Sequence, residues 1–184
     1  GRILVVGGHR WVGDEFLTTW VERLDPGAAA WNAVGQMPGR LGHQLVARPD
    51  GKVVVIGGVD ATYTPTTSTF VLDPLAGTAL AGPSLLQHRA WARTVSAAGM
   101  PLVIGGTASC SSQECLLSET LAGPTWQIAG FTSASREDHT ATVLQDGTVL
   151  VVGSNFAFAM GSAERYVPSL GWHAASPPNV GRAG

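Results

Sequence analysis

The stretch "DGKVVVIGG", residues 50–58, is a turn, a short apolar run and a pair of glycines, and the chain carries a version of it four times. The other copies are "GRILVVGG" at 1–8, "AGMPLVIGG" at 98–106 and "DGTVLVVGS" at 146–154. Aligned on the first glycine of each pair, Gly7, Gly57, Gly105 and Gly153 stand 50, 48 and 48 residues apart. A regular period of this length marks a repeat architecture, in which each unit covers its apolar faces with its neighbours. Six residues before each of these glycines stands another (Gly1, Gly51, Gly99, Gly147), preceded in two units by aspartate. Asp-Gly is a favoured type I′ hairpin turn, so a strand should precede it. That strand reads "HQLVARP" from His43 and "HTATVLQ" from His139, each histidine fourteen residues before its anchor glycine, with Arg40 and Arg136 three positions earlier. In the third unit this count puts Trp91 at the histidine position.

Past the glycines comes a variable loop, then a third strand ending in a turn: "WVERLDPGAA", "TFVLDPLAG", "LLSETLAGP" and "AERYVPSLG". A fourth short strand follows with Trp31, Trp126 and Trp172, or with "TALAG" at 78–82 as the version without tryptophan. Runs such as "VVVIG" lack the apolar–polar alternation of a one-sided sheet and read as strands buried on both faces. Four short antiparallel strands every 48 residues or so, needing neighbours on both sides, predict the blades of a β-propeller. In that fold the glycine pairs Gly7 and Gly8, Gly57 and Gly58, Gly105 and Gly106, with Gly153 alone, mark a close approach of backbones. The tryptophans would supply apolar area between blades.

The order Arg-x-x-His, Asp-Gly, apolar run, Gly-Gly, Asp-Pro and Trp resembles the kelch repeat over essentially the whole chain, closest to the bacterial "HTATVLQDGTVLVVG" style. It is similar to repeats in the central propeller of galactose-oxidase-like proteins. Unit three departs in lacking the histidine and the Asp-Gly, and unit four in having Ser154 for the second glycine. The expected fold is all-β: a propeller of four-stranded antiparallel kelch blades, about 3.75 of them present. The expected units are 1–36 (partial), 37–84, 85–131 and 132–180, with 181–184 opening a next blade. Gly1 sits at the hairpin glycine and Arg182 where the next Arg-x-x-His begins, giving fifteen strands and one inner strand missing. The resemblance implies a segment of a six- or seven-bladed propeller; a four-bladed ring with one incomplete blade is the alternative, disfavoured by its unpaired inner edge.

Composition narrows the partners. The chain has 184 residues, 45% hydrophobic and 13% charged, with 11 basic against 13 acidic residues and a net charge of −2, enough for one substantial core. It has no basic footprint for nucleic acid or anionic lipid. No apolar run reaches the roughly 18–20 residues that span a membrane, so no membrane insertion is expected, and no secretory leader is visible in these residues.

Antiparallel parity sends the 1–2 and 3–4 turns to one side and the 2–3 loops and blade connections to the other. The second set is longer and differs in every unit: "HRWVGDEFLT" at 9–18, "VDATYTPTT" at 59–67, "TASCSSQE" at 107–114 and "NFAFAMGS" at 155–162. Variable loops on a rigid scaffold are where binding concentrates. The candidate binding residues are His9, Arg10, Trp11, Asp14, Glu15, Asp60, Tyr63, Phe156 and Phe158, with folding back onto the blades as the competing role. His43 and His139 share one repeat position; a residue needed by every blade packs and hydrogen-bonds rather than ligating a metal, and no metal or cofactor site is assigned. Arg40 and Arg136 read as blade-edge residues satisfying carbonyls or a glutamate such as Glu22 or Glu164. Cys110 and Cys115 are close enough for a local disulfide, which would imply an oxidising compartment, or stand as two thiols. The kelch resemblance implies an exported protein.

Two functions follow. One is a non-catalytic scaffold offering the long loops to a protein or glycan partner and packing on the remaining blades of its propeller. The other is the structural part of a secreted galactose-oxidase-like or sugar-modifying enzyme. The copper site of such oxidases does not transfer here: Tyr63 and Tyr166 stand beside no histidine, no cysteine lies outside 110–115, and no catalytic residue is assigned.

Overall fold

The computed structural model describes residues 1–12, 14–106, 113–156 and 159–181, with side chains described outside 11–16 and 113–114. The first sheet holds β1 (Ile3–Val6), β4 (Trp20–Leu24) and β5 (Asn32–Gln36), with a separate two-stranded ribbon of β2 (His9–Val12) and β3 (Asp14–Leu17) inserted between β1 and β4. The second holds β6 (Gln44–Ala47), β7 (Val53–Ile56), β8 (Thr69–Asp73) and β9 (Thr78–Ala81). The third holds β10 (Arg93–Ala97), β11 (Met100–Ile104), β12 (Leu117–Ala122) and β13 (Thr125–Phe131), with a 3-10 turn at Gln113–Leu116. The fourth holds β14 (Thr140–Val143), β15 (Val149–Val152), β16 (Ala163–Val167) and β17 (Gly171–Ala175). Every pairing is antiparallel between consecutive strands, the ribbon aside. The ribbon corrects the expectation of fifteen strands. A ten-residue connection has many backbone donors and acceptors to satisfy, and 9–17 does so by pairing with itself, from His9↔Leu17 to Val12↔Asp14.

The second strands of the two middle sheets, β7 and β11, are buried on both faces because their residues alternate between neighbours. In β7, Val55 packs backward with Val6, Val21 and Leu72, whereas Val54 and Ile56 pack forward with Val103 and Trp126. In β11, Leu102 and Ile104 continue the pattern against Val149, Val151 and Tyr166. All of these second-strand side chains are at most 2% exposed, and burying each contributes about 1.5–3 kcal/mol. The core is therefore a series of inter-sheet seams. Trp126 is buried in one and donates its indole N–H to the Pro83 carbonyl at 3.0 Å. Trp172 packs on Tyr166 in a tilted contact, ring centroids 5.3 Å apart and planes at 51°, and lies against Gly130 of the sheet before. Trp31 precedes β5 by one residue and is 45% exposed, so it joins none of the buried seams.

Two local expectations need correcting. The Asp-Gly hairpins are not type I′. Asp50 and Asp146 keep negative φ, and Gly51 and Gly147 alone are left-handed, at +80° each, donating to the Arg48 and Leu144 carbonyls. These are three-residue turns of type I followed by a left-handed glycine. The aspartate carboxylates instead receive the amides of Lys52 and Thr148. The two-residue turn with both residues left-handed occurs in the third sheet, at Ala98 (φ +50°) and Gly99 (φ +80°), between the paired Ala97 and Met100. That shorter hairpin shifts the count by one, so Trp91 does not occupy the histidine position. It takes the left-handed place of Gly42 and Asp138, at φ +54° against +65° and +49°, and Ala92 stands where His43 and His139 do.

Candidate functional site

With the register repaired, an arginine precedes the inner strand of three sheets: Arg40, Arg89 and Arg136. Their backbone carbonyls accept from the second glycine of the preceding sheet, Gly8 at 2.8 Å, Gly58 at 2.6 Å and Gly106 at 2.7 Å. This contact requires glycine at the first position too. A Cβ on Gly57 would lie 2.4 Å from the Arg89 oxygen and one on Gly105 2.1 Å from the Arg136 oxygen, with both glycines left-handed.

The side chains turn the other way, into their own sheets. Arg89 donates to the Glu119 carboxylate at 2.9 Å, to the Gly105 carbonyl at 2.6 Å and to the Leu117 carbonyl at 2.8 Å. Arg136 donates to Glu164 at 2.6 Å and to the Gly153 and Ser162 carbonyls at 2.8 and 3.3 Å. The carboxylates also accept from connection amides, Glu119 from Leu86 and Gln87 and Glu164 from Ser133. Both ion pairs are buried, with side-chain exposures of 1% and 0% for one and 0% and 6% for the other. Burial pushes the Arg89 pKa down and Glu119 opposes it. Each arginine thus staples two sheets, through its carbonyl backward and its guanidinium forward. Arg40 departs from the pattern because Phe70 holds the glutamate position: its guanidinium lies over the Phe70 ring, 5.4 Å from the centroid, and donates to Ser68 and Gly39.

The histidines belong to the same seams. A Cβ on Gly7 would lie 2.9 Å from His43 Cε1, so that ring fills space the preceding sheet leaves open. Burial lowers the His43 pKa, the Val6 backbone opposing it. His139 is 0% exposed, has no hydrogen-bond partner for either ring nitrogen among the described residues, and is pushed down to about 3 by burial and by Arg136 and Arg93. Among the described residues no three His, Cys, Asp or Glu side chains gather to hold a metal ion.

The long-loop side has its own architecture in each sheet. His9 and Arg10 are exposed on β2. Asp60 closes its loop on itself, accepting from the Thr62 amide at 2.8 Å, the Thr62 hydroxyl at 2.6 Å and the Thr64 amide at 3.2 Å, bonds that hold its carboxyl below the usual range. Tyr63 at the tip is left-handed and 46% exposed. The base of that loop is laced to both flanking connections, Val59 to Leu41 and Thr66 to Arg89. Phe156 is half-buried and accepts the amides of Ala159 and Met160 through its carbonyl. Asp60 thus shapes the turn that carries Tyr63. The side chains of Trp11, Asp14 and Glu15, and residues Phe158 and Cys110, lie outside the described residues. Cys115 is disulfide-bonded and buried. On the opposite, tight-turn side, grooves run along two seams, one walled by Arg2, Arg23, Pro74 and Leu75 and the other by Arg48, Met100 and Leu121.

Successive antiparallel sheets, one of three strands and three of four, packed face to face and stapled in sequence order without closing on themselves, are blades of a β-propeller. The solved structure of YjhT has the same architecture: it matches all of this chain and 70% of its own, with a TM-score of 0.79 at 16% sequence identity, a likeness of fold. No family model and no curated protein sequence matches the chain.

Proposed function

We propose that this chain is part of a non-catalytic kelch-repeat binding scaffold that presents its 2–3 loops and blade connections to a protein or glycan. The observation that carries this is a division of labour. The ionisable groups at recurring positions, Arg89, Glu119, Arg136, Glu164 and His139, are buried between or within sheets, while the side they support ends in a different loop on every sheet. Such a partition makes a rigid frame with variable tips. The kelch assignment is supported by the recurring Arg-x-x-His, Asp-Gly and Gly-Gly order, and further blades of the same propeller are the expected neighbours of the first and fourth sheets. The disulfide at Cys115 supports an oxidising, extracytoplasmic compartment.

The test is a glycan array, with cross-linking to extracellular protein fractions, on the chain and on two variants. Tyr63→Ala should abolish a specific signal that Leu75→Ser on the tight-turn side leaves unchanged. The reverse pattern would move the binding surface to the grooves. Copper-dependent sugar oxidation by the parent protein would replace the scaffold with the enzyme reading.

A further inference from the structure

The seam between the third and fourth sheets carries a charge that its neighbour lacks. Registered on the strand pairing, Arg93 opposite Ile104 stands where Gln44 opposite Ile56 and Thr140 opposite Val152 do. Successive residues of a strand point to opposite faces, so Arg93 shares the face of Val95 and Ala97, which pack forward against the fourth sheet. On the facing wall His139, one residue ahead of β14, shares the backward face of Ala141. The inner end of this seam therefore sets Arg93 across from His139. In the seam before it the same two places are held by Gln44 and Ala92, and Gln44 donates its amide to the His43 carbonyl at 3.1 Å.

Three groups at this place lack partners among the described residues. His139 is fully buried and neither of its ring nitrogens is hydrogen-bonded. Arg136, three residues ahead of it, keeps its Nε–H unpaired although its other nitrogens hold Glu164, Gly153 and Ser162. Arg93 is half-buried, makes no ion pair, and its one side-chain hydrogen bond is to the carbonyl of its own neighbour Ala92, at 3.4 Å. Glu137 and Asp138, beside His139 in the chain, make no ion pair with either arginine. Burial, then Arg136 and Arg93, hold the His139 pKa down, so its ring is neutral. With Glu164 taken by Arg136, one positive charge stands uncompensated beside buried orphan nitrogens. Buried polar atoms are satisfied by protein, water or a bound ion, and a desolvated cation without a countercharge draws an anion.

We propose that the inner end of the seam between the third and fourth sheets is a binding site for a small oxyanion, held between the Arg93 guanidinium and the His139 ring. The planar fork of Arg93 matches two oxygens of one anion, in charge-assisted bonds that a neutral side chain cannot replace. The neutral imidazole donates one N–H, and the surrounding buried wall strengthens both contacts by keeping water away. The anion enters past the inner edges of β10 and β14, which carry no further strand, on the side where Arg93 keeps part of its surface open. Because Gln44 and Thr140 are neutral, the site does not recur with the repeat as the arginine–glutamate staples do. It is independent of what the loops bind.

The experiment uses the 184-residue chain in a zwitterionic buffer near neutral pH, with sodium sulfate and sodium acetate as probes. Nitrogen NMR of the histidine side chains should show the His139 resonances moving saturably with added sulfate while those of the exposed His173 stay in place. Arg93→Gln, which follows the residue at the equivalent place in the second sheet, should weaken the response about ten-fold or more with circular dichroism unchanged. A response to sulfate alone supports a free inorganic anion, and a response to acetate as well supports the carboxylate of an organic acid. Sulfate also stabilises proteins through exclusion from their surface, so urea melts give a second readout. Added sulfate should raise the midpoint of the wild type further than that of Arg93→Gln or His139→Phe. An equal rise in all three is surface exclusion alone and overturns the proposal. It is overturned too by a response that Arg93→Gln leaves intact, or by His139 resonances that neither salt moves, which would assign the orphan nitrogens to a buried water.

Discussion

His139 offers the sharpest test of the seam geometry, because its burial sets a pH dependence whose size can be calculated. The folded chain holds the imidazole at a pKa of about 3, against the ordinary histidine value of 6.5. As pH falls through 6.5 the unfolded chain takes up a proton that the folded chain refuses until about pH 3. Stability is therefore complete above about 6.5, declines between 6.5 and 3, and is flat below. Integrating that difference gives a loss of about 2 kcal/mol between pH 7.5 and 5, and about 5 kcal/mol in full. The upper part of the window is clean, since Asp25, Asp60, Asp73 and Asp146 are all shifted down and titrate at lower pH. His43, also lowered, contributes in the same sense and is common to both proteins compared. The perturbation is His139→Phe, a ring without a titrating group at a site where neither nitrogen has a partner among the described residues. Urea melts at pH 7.5, 6 and 5 should show the variant losing about 2 kcal/mol less than wild type across that range. Equal slopes for the two proteins, or an NMR titration placing the native His139 near 6.5, would refute the buried neutral histidine.

Three further outcomes are expected. Glu119→Gln should destabilise by about 3–5 kcal/mol in denaturant melts, by leaving Arg89 buried without its countercharge, whereas Glu22→Gln at the equivalent exposed position should change stability by less than about 0.5 kcal/mol. Gly105→Ala should cost about 3 kcal/mol or more because its Cβ meets the Arg136 carbonyl, and Gly147→Ala about 1 kcal/mol, since nothing lies within 4 Å and only its left-handed φ opposes the change. Trp126→Phe should cost about 1 kcal/mol, read as a lower urea midpoint, through the lost bond to Pro83.

The legible features of the sequence were those with a short-range physical cause. The glycine pairs announce left-handed backbone under a crossing carbonyl, and the "VVVIG" runs announce strands with a neighbour on each side; both hold in β7 and β11. The blade-edge role of Arg136 with Glu164 was likewise readable, since Arg136 stands as far before Gly153 as Arg40 does before Gly57. Arg89 escaped because the third hairpin closes in two residues rather than three, a difference that moves every preceding residue by one and cannot be counted without the turn geometry. Glu119 escaped with it. The ribbon at 9–17 carries no strong turn or alternation signal, and its pairing reflects the length of the connection. At Asp60 the sequence does not show that three donors of its own loop already bond the carboxylate.

The staple also bears on how such a protein can change length. Because each arginine grips the sheet before it by its carbonyl and its own sheet by its guanidinium, the bonded unit is out of phase with the sheet. A tandem duplication of one period, begun at any residue past Phe70, reproduces both halves of every interior bond and leaves no donor stranded at the new junction, whereas one begun between Arg40 and Phe70 would set a copy of Arg89 opposite the phenylalanine. Deletion of one period is equally silent. An array built this way can gain or lose blades by simple recombination without a compensating substitution, and selection for a new ring size would act on closure alone.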